Sequence, residues 1–256
     1  MTQALPAERR GRILELLGER GAIRVSELAV ALGVSEVTVR RDLEDLDARG
    51  LLERTHGGAV LVGAPPLAPP GGHAAEKRAI GAAAAGLLEP GDAIYLNGGT
   101  TTLEVFRHLA VPCTVITNNL LVAAEPARRD VELLLLGGHL RVDPVERTVV
   151  GPLAIETLRR TFATRAFLGV GGIALSSGVT TPVAAEAEIA RAMIEQTRGE
   201  VVVVTDRSKL GAVTNFAIAP LDAIDRLVVD AGIGEDYLDG FSKAGVDVVT
   251  ASSDTG

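Results

Sequence analysis

The stretch SELAVALGVSEVTVRRDLEDLDARGLLERTHGGAV, Ser26–Val60, decides how this chain is read. Ser26 is placed to cap a short helix whose Leu28, Ala29 and Leu32 face inward, and Gly33 breaks that helix. Ser35 caps the next helix, beginning at Glu36, in which Val39, Leu43 and Leu46 follow the i, i+4, i+7 spacing of a buried stripe. Gly50 ends it. Leu51–Leu52 and Ala59–Leu61 then flank Arg54-Thr55-His56-Gly57-Gly58, which predicts a two-stranded ribbon with a glycine turn. Two short helices joined by the tight turn Gly33-Val34-Ser35 and followed by a ribbon make the pattern of a winged helix-turn-helix.

Outward from there, Pro6–Glu19 is predicted as a helix with an Ile13, Leu16, Leu17 stripe. With Val39, Leu43 and Leu46 inward, the outer face of the Glu36 helix carries Val37, Arg40, Arg41 and Glu44, with Ser35 and Thr38 at its start. Arginines at that end of such a helix reach base edges of the major groove and nearby phosphates. Arg9, Arg10 and Arg12 are expected to add positive charge from the first helix, and Arg54 and His56 to approach the backbone or minor groove from the ribbon. Bulk charge argues the other way. The chain carries a net −8, and residues 1–60 hold nine arginines against ten acidic residues. The reading of double-stranded DNA as partner therefore rests on where the arginines lie. A three-helix protein-binding adaptor is the alternative on pattern alone.

Beyond Val60 comes GAPPLAPPGG, with four prolines and no charge. Residues 63–73 read as a semi-rigid linker between a small domain, 1–62, and a larger one, 74–256. In the larger part, apolar runs at Ala93–Leu96, Thr114–Thr117, Val131–Leu136, Ala166–Val170, Val201–Thr205 and Leu227–Val229 read as strands. Helical patterns at Glu76–Leu88, Thr102–Leu109, Pro152–Thr161 and Pro182–Thr197 separate most of them. Continuous apolar strands alternating with helices predict an α/β domain with a mostly parallel, Rossmann-like sheet covered on both faces. Composition agrees: 47% of residues are hydrophobic but only 3% aromatic, with no Trp, so the core is built from Ala, Val, Leu and Ile. Cys113, the lone cysteine, lies in the apolar run VPCTVIT and reads as a small core residue. MTQALPAERRGR lacks the apolar segment of a signal peptide, and no apolar stretch reaches the ~18 residues of a membrane span, so a soluble cytoplasmic protein without a membrane partner is expected.

Three loops at strand ends carry the chemistry of the larger domain. Asn97-Gly98-Gly99-Thr100-Thr101-Thr102 follows the strand AIYL and opens a helix. Glycines let backbone approach an anion, threonines donate hydrogen bonds and the helix start adds amides and dipole. The same cluster reads equally as tight-turn chemistry, and its spacing is that of neither a P-loop nor a dinucleotide fingerprint. Thr117-Asn118-Asn119 follows CTVI, where capping and ligand contact are both open; Gly137-Gly138, after VELLLL, is the same kind of place without side chains. Thr205-Asp206-Arg207-Ser208-Lys209-Leu210-Gly211 follows VVVV; Lys209 reads either as a solvated side chain or as a cation reaching the crevice, with Asp206 orienting it or binding a hydroxyl. Pro182 is predicted to open a helix near whose start Glu186 or Glu188 either favours the dipole or points into the crevice. No metal or cofactor is implied.

Ser26-Glu27-Leu28-Ala29, Val34-Ser35, Thr38-Val39-Arg40-Arg41-Asp42-Leu43 and His56-Gly57-Gly58-Ala59 closely resemble the DNA-binding domain of the DeoR family of bacterial sugar-metabolism regulators. The likeness continues through Glu76-Lys77, Gly99-Thr100-Thr101, Thr117-Asn118, Leu136-Gly137-Gly138, Val150-Gly151-Pro152, Phe167-Leu168-Gly169, Thr180-Thr181-Pro182, Glu186 and Asp206…Ser208-Lys209…Gly211, to about Asp230, leaving a generic tail. The resemblance implies a sensor domain similar in fold to ribose-5-phosphate isomerase, binding a phosphorylated sugar or related metabolite, with the phosphate at 98–102 and Lys209 assisting. It also implies a repressor as the commoner mode, while a homo-oligomer is expected because helix-turn-helix proteins commonly read two half-sites with two copies. Two departures stand out: many members have Asp where this chain has Asn97 and Gly171, so polar groups of the effector site differ here.

The expected function is thus a ligand-controlled transcription regulator and not an enzyme. The alternative is a sugar-phosphate isomerase with an accessory domain, in which Glu186 and Lys209 would serve as base and oxyanion partner. That alternative lacks a carboxylate at position 97 and leaves the N-terminal motif unused.

Overall fold

The computed structural model describes residues 6–20, 22–48, 52–55, 57–61, 73–142 and 146–252. The chain divides into two compact units, Met1–Gly71 and Gly72–Gly256. Apart from His73, the 63–73 linker reading lies outside the described residues.

The first unit runs α1 (Pro6–Arg20), β1 (Ala22–Arg24), α2 (Val25–Leu32), α3 (Glu36–Ala48), β2 (Leu52–Thr55) and β3 (Gly58–Leu61). Ile13, Leu16, Leu17, Leu28, Val39, Leu43 and Leu46 meet in one core, as their spacing predicts. Gly33 closes α2 in the left-handed region at φ +64°, where a side chain would be strained, and Val34 N–H donates back to the Ala29 carbonyl at 3.1 Å. Ser35 does cap α3: its Oγ accepts from Thr38 N–H at 3.3 Å. Ser26 does not cap α2. The helix starts two residues earlier, at Val25, with Arg24 at the cap position and no side-chain bond. The ribbon also gains a strand, because β1 pairs antiparallel with β3 in the order β1-β3-β2. Gly58 permits that pairing, since a Cβ there would strike the Ile23 carbonyl oxygen.

Two further arginines depart from expectation. Arg9 is only 9% exposed, and its guanidinium holds both oxygens of buried Asp42 on α3, with Nη2 to Oδ1 at 3.2 Å. Arg10 pairs with Asp45 one turn further along. Both pin α1 to α3 instead of adding to a DNA-facing charge.

The second unit runs α4 (Ala74–Ala85), β4 (Ala93–Leu96), α5 (Thr100–Arg107), β5 (Cys113–Thr117), α6 (Leu120–Ala123), β6 (Val131–Leu135), β7 (His139–Val142), β8 (Arg147–Val150) and α7 (Pro152–Leu158). It continues with β9 (Ala163–Leu168), β10 (Gly172–Ala174), β11 (Gly178–Thr181), α8 (Ala184–Glu195), β12 (Thr197–Thr205), β13 (Phe216–Ala219), β14 (Arg226–Asp230), α9 (Glu235–Lys243) and β15 (Asp247–Ala251). Seven strands form a parallel sheet in the order β15-β14-β12-β9-β4-β5-β6. Its inner strands bury both faces by strict alternation, whereas the edge strand β6 leaves Leu133, Leu134 and Leu135 exposed, so the sheet is not covered on both faces there. Ile94, Leu96, Val202 and Val204 pack under α4 and α5, while Tyr95, Val201 and Val203 pack under α7, α8 and α9. Cys113 is buried, and burial pushes its thiol pKa up, as suits a core residue.

Three features differ from the sequence reading. Pro182 does not open α8: Val183 is the cap residue and the helix begins at Ala184, which still leaves Glu186 on the first turn. The generic tail is structural, for α9 packs on the sheet and β15 adds its edge strand beside β14. Two antiparallel sheets, β7-β8 and β10-β11-β13, stand beside the parallel one.

Candidate functional site

On the first unit, the outer face of α3 presents Val37, Arg40, Arg41 and Glu44 at i, i+3, i+4 and i+7, opposite the buried Val39, Leu43 and Leu46. All four are exposed. Arg40 lies 3.5 Å from Glu36 across a half-exposed i, i+4 pair, an interaction water screens. Ser35 and Thr38 hydroxyls lie 2.9 Å apart at the helix start. Arg54 is placed on β2 opposite Ala59, and His56 lies outside the described residues.

On the second unit, a cleft of about 290 Å³ opens beyond the carboxyl ends of β4, β5, β9 and β12. Crevices at that end of a parallel sheet are where ligands bind. Gly98, Gly99, Thr100 and Thr101 form one wall. Gly99 sits at the cap of α5 with φ +135°, a conformation reserved for glycine, and by helix geometry the first-turn amides of α5 have no partners within the helix. Thr102 does not line the cleft. It is fully buried and its hydroxyl donates to the carbonyls of Asn97 (2.8 Å) and Gly99 (3.0 Å), holding the turn closed.

Asn97 lines the cleft, but its amide is engaged: Nδ2 donates to the Gly169 carbonyl and Oδ1 accepts from Gly169 N–H, both at 2.8 Å. It ties the ends of β4 and β9 together. A carboxylate there would repel the Gly169 carbonyl, so Asn suits this backbone. Gly171 is likewise enclosed, since a Cβ would lie 2.7 Å from Pro182 Cδ.

Asn118 is 1% exposed and lines the cleft. Its Nδ2 donates to the Val149 carbonyl at 3.1 Å, which fixes the amide orientation, while Oδ1 is buried without a hydrogen-bond partner among the described residues. Neighbouring Asn119 is the capping residue, accepting from Leu121 N–H at 3.1 Å. Glu186 reaches the cleft, where Oε1 accepts from Arg141 (3.0 Å) and Thr148 (3.2 Å). Asp206 lines it too, and its Oδ1 accepts from Ser208 N–H at 3.1 Å as a local cap. Lys209 completes the same wall. Gly137 stands apart: it is exposed and borders a separate depression with Gly138 and Leu153. A glycine pair after a strand looks alike at either end of a crevice, and β6 is the edge strand, one place too far out.

Four participants were not among the expected site residues. Lys77 on α4 donates to Thr100 Oγ1 at 3.1 Å and brings a second cation to the cleft beside Lys209. Arg141, Glu146 and Thr148 enter on or beside the β7-β8 hairpin. Lys77 had a sequence signal, since Glu76-Lys77 is among the motifs that resemble the family's sensor domain. The hairpin residues had none.

A helix-turn-helix with a strand wing and a separate α/β unit with a polar cleft define a two-part DNA-binding, ligand-sensing regulator. Residues 9–63 match the DeoR-like helix-turn-helix domain and residues 72–231 the DeoR C terminal sensor domain. This chain belongs to the DeoR family of transcriptional regulators. Among its relatives is the HTH-type transcriptional regulator GlpR of Haloferax volcanii, 38% identical over 252 residues and spanning 96% of this chain and 98% of that one. Another is the HTH-type transcriptional repressor GlcR of Bacillus subtilis, 33% identical over 264 residues, spanning 97% and 98%. Solved structures with partial likeness include ribose 5-phosphate isomerase A of Methanocaldococcus jannaschii, at 16% identity, TM-score 0.37 and coverage of 52% and 53%. A second is the translation initiation factor eIF-2B of Pyrococcus horikoshii, at 16% identity, TM-score 0.42 and coverage of 88% and 82%. Values this low say nothing about chemistry. Among the described residues no helix is long and apolar enough to cross a membrane.

Proposed function

We propose that the cleft binds a phosphorylated sugar and that its occupancy sets the DNA affinity of the N-terminal unit, which acts as a repressor of a carbohydrate operon. The presence of Lys77, bonded to Thr100, and of Lys209 in the one cleft that the Gly98–Thr101 turn lines carries this reading. Two ammonium groups and a helix start favour an anion with the geometry of a phosphate. Asn118 Oδ1 awaits a donor, as a sugar hydroxyl would supply, and Glu186 and Asp206 add acceptors on other walls. An isomerase is disfavoured because Glu186 is neutralised by Arg141 and position 97 holds an engaged amide. The repressor mode follows the named relative GlcR. We assign residues 1–62 to DNA binding and 74–256 to sensing, in a cytoplasmic homo-oligomer whose copies read paired half-sites.

Calorimetry with a panel of sugar phosphates and their unphosphorylated parents tests the cleft. One phosphorylated compound should bind, its parent far more weakly, and Lys209→Ala should lower its affinity at least tenfold. Equal affinity for sugar and sugar phosphate would remove the anion site.

On the DNA side, Arg41→Ala is expected to weaken binding to a selected duplex by about 1–3 kcal/mol without changing the unfolding midpoint, because Arg41 is exposed and off the buried stripe. Wild-type affinity at matched salt would mean that α3 is not the reader.

A further inference from the structure

We propose that Val37 reads the 5-methyl group of a thymine in the major groove, an assignment that rests on α3 being the DNA-reading helix. Val37 is 76% exposed on the first full turn of α3, and among the described residues of its unit only it and Val30, on α2, are large hydrophobic side chains left in solvent. A lone exposed valine is ordinary on a protein surface. Its surroundings are what single this one out.

The polar side chains around it already have local work. Ser35 Oγ accepts from Thr38 N–H, the Ser35 and Thr38 hydroxyls bond one another, and Glu36 lies beside Arg40. Val37 shares its stripe with Arg40 and Arg41, one helical turn away. Arg40 and Arg41, exposed at the start of the second helix of a helix-turn-helix, are placed for phosphates and base edges, which makes DNA the occupant of this face. When two cations settle on phosphates or guanine edges, a β-branched apolar side chain one turn nearer the helix start meets the groove floor. The groove floor offers a single apolar group, the thymine methyl, whereas the other base edges present donors and acceptors that valine cannot satisfy. Val37 therefore selects A·T over G·C pairs at its position by contact with that methyl and by leaving the polar edges of other bases unpaired.

The experiment uses the full chain. A randomised duplex library is selected for binding at fixed salt, and each thymine of the enriched half-site is replaced in turn by uracil, which removes only the methyl. At one position the replacement should weaken wild-type binding about three- to fivefold, the loss of one buried methyl contact. For Val37→Ala, which should keep the wild-type unfolding midpoint, the thymine-to-uracil ratio at that position should fall to about one. A ratio near one at every position for the wild type overturns the proposal. So does a preference for thymine that Val37→Ala leaves intact, because another residue would then be the reader. If no sequence is enriched, the DNA-reading role of α3 falls, and the assignment of Val37 with it.

Discussion

Arg9→Met is expected to unfold the N-terminal unit at temperatures where the wild type is native. The substitution keeps the apolar stem but leaves the Asp42 carboxylate, 7% exposed, without the guanidinium that covers both its oxygens. Breaking a buried ion pair from one side costs about 3–5 kcal/mol, because a charge is then stranded away from water. A core of this unit's size, eleven buried hydrophobic side chains among the described residues, has little reserve against such a loss. The midpoint of the unit's thermal transition, followed by circular dichroism on the full chain, should drop by more than about 10 °C, and binding to a selected duplex should be lost in parallel. Arg9→Met combined with Asp42→Leu should regain most of the stability, since an apolar pair of similar volume often replaces a buried ion pair without loss. A midpoint for Arg9→Met within about 2 °C of the wild type would show that the pair contributes nothing.

The second large effect is expected at Gly81. Glycine inside a helix costs about 0.5–1 kcal/mol relative to alanine, so its presence on α4 has a packing reason. A Cβ at Gly81 would lie 2.6 Å from the carbonyl carbon and from Cβ of Glu104 on α5, and a backbone atom cannot step aside as a flexible side chain can. Gly81→Val must push the two helices apart or tilt them, at a cost of about 3 kcal/mol or more for an overfilled contact. The functional consequence follows from position. Lys77 is one helical turn before Gly81, Thr100 starts α5, and their 3.1 Å bond exists only while the helices touch. Gly81→Val should therefore lose sugar-phosphate binding in calorimetry beyond what its stability loss explains. Unchanged stability with unchanged binding would contradict the role given to this crossing.

Much of this was legible in the sequence, for identifiable reasons. The Val runs of β12 and β14 announce strands buried on both faces, and the 39, 43, 46 stripe announces the helix behind the reading face, whereas the Leu run of β6 read as buried and is exposed at the sheet edge. The Arg9–Asp42 pair was within reach. Asp42 occupies the i+3 place of that same stripe and Arg9 the i−4 place before Ile13, so both charges were on inward positions. Reading arginines by type instead of by phase assigned Arg9 and Arg10 to DNA. Other features left no periodic trace. β1 is three residues long, and the β7-β8 hairpin that brings Arg141 and Thr148 to Glu186 is held by cross-strand pairing, which pattern alone does not reveal. The roles of Asn97 and Thr102 separate only in three dimensions: adjacent in sequence to the anion turn, both spend their polar atoms on backbone that holds its shape.

The central claim is that one molecule links the cleft to the DNA. The direct measurement is titration of a selected duplex with the full chain at fixed salt, with and without the best-binding sugar phosphate at saturation. The predicted result is a shift of the DNA dissociation constant corresponding to about 1–3 kcal/mol of coupling, abolished by Lys209→Ala at the same ligand concentration while affinity in the absence of ligand stays unchanged. A DNA affinity indifferent to a sugar phosphate that demonstrably fills the cleft would contradict it.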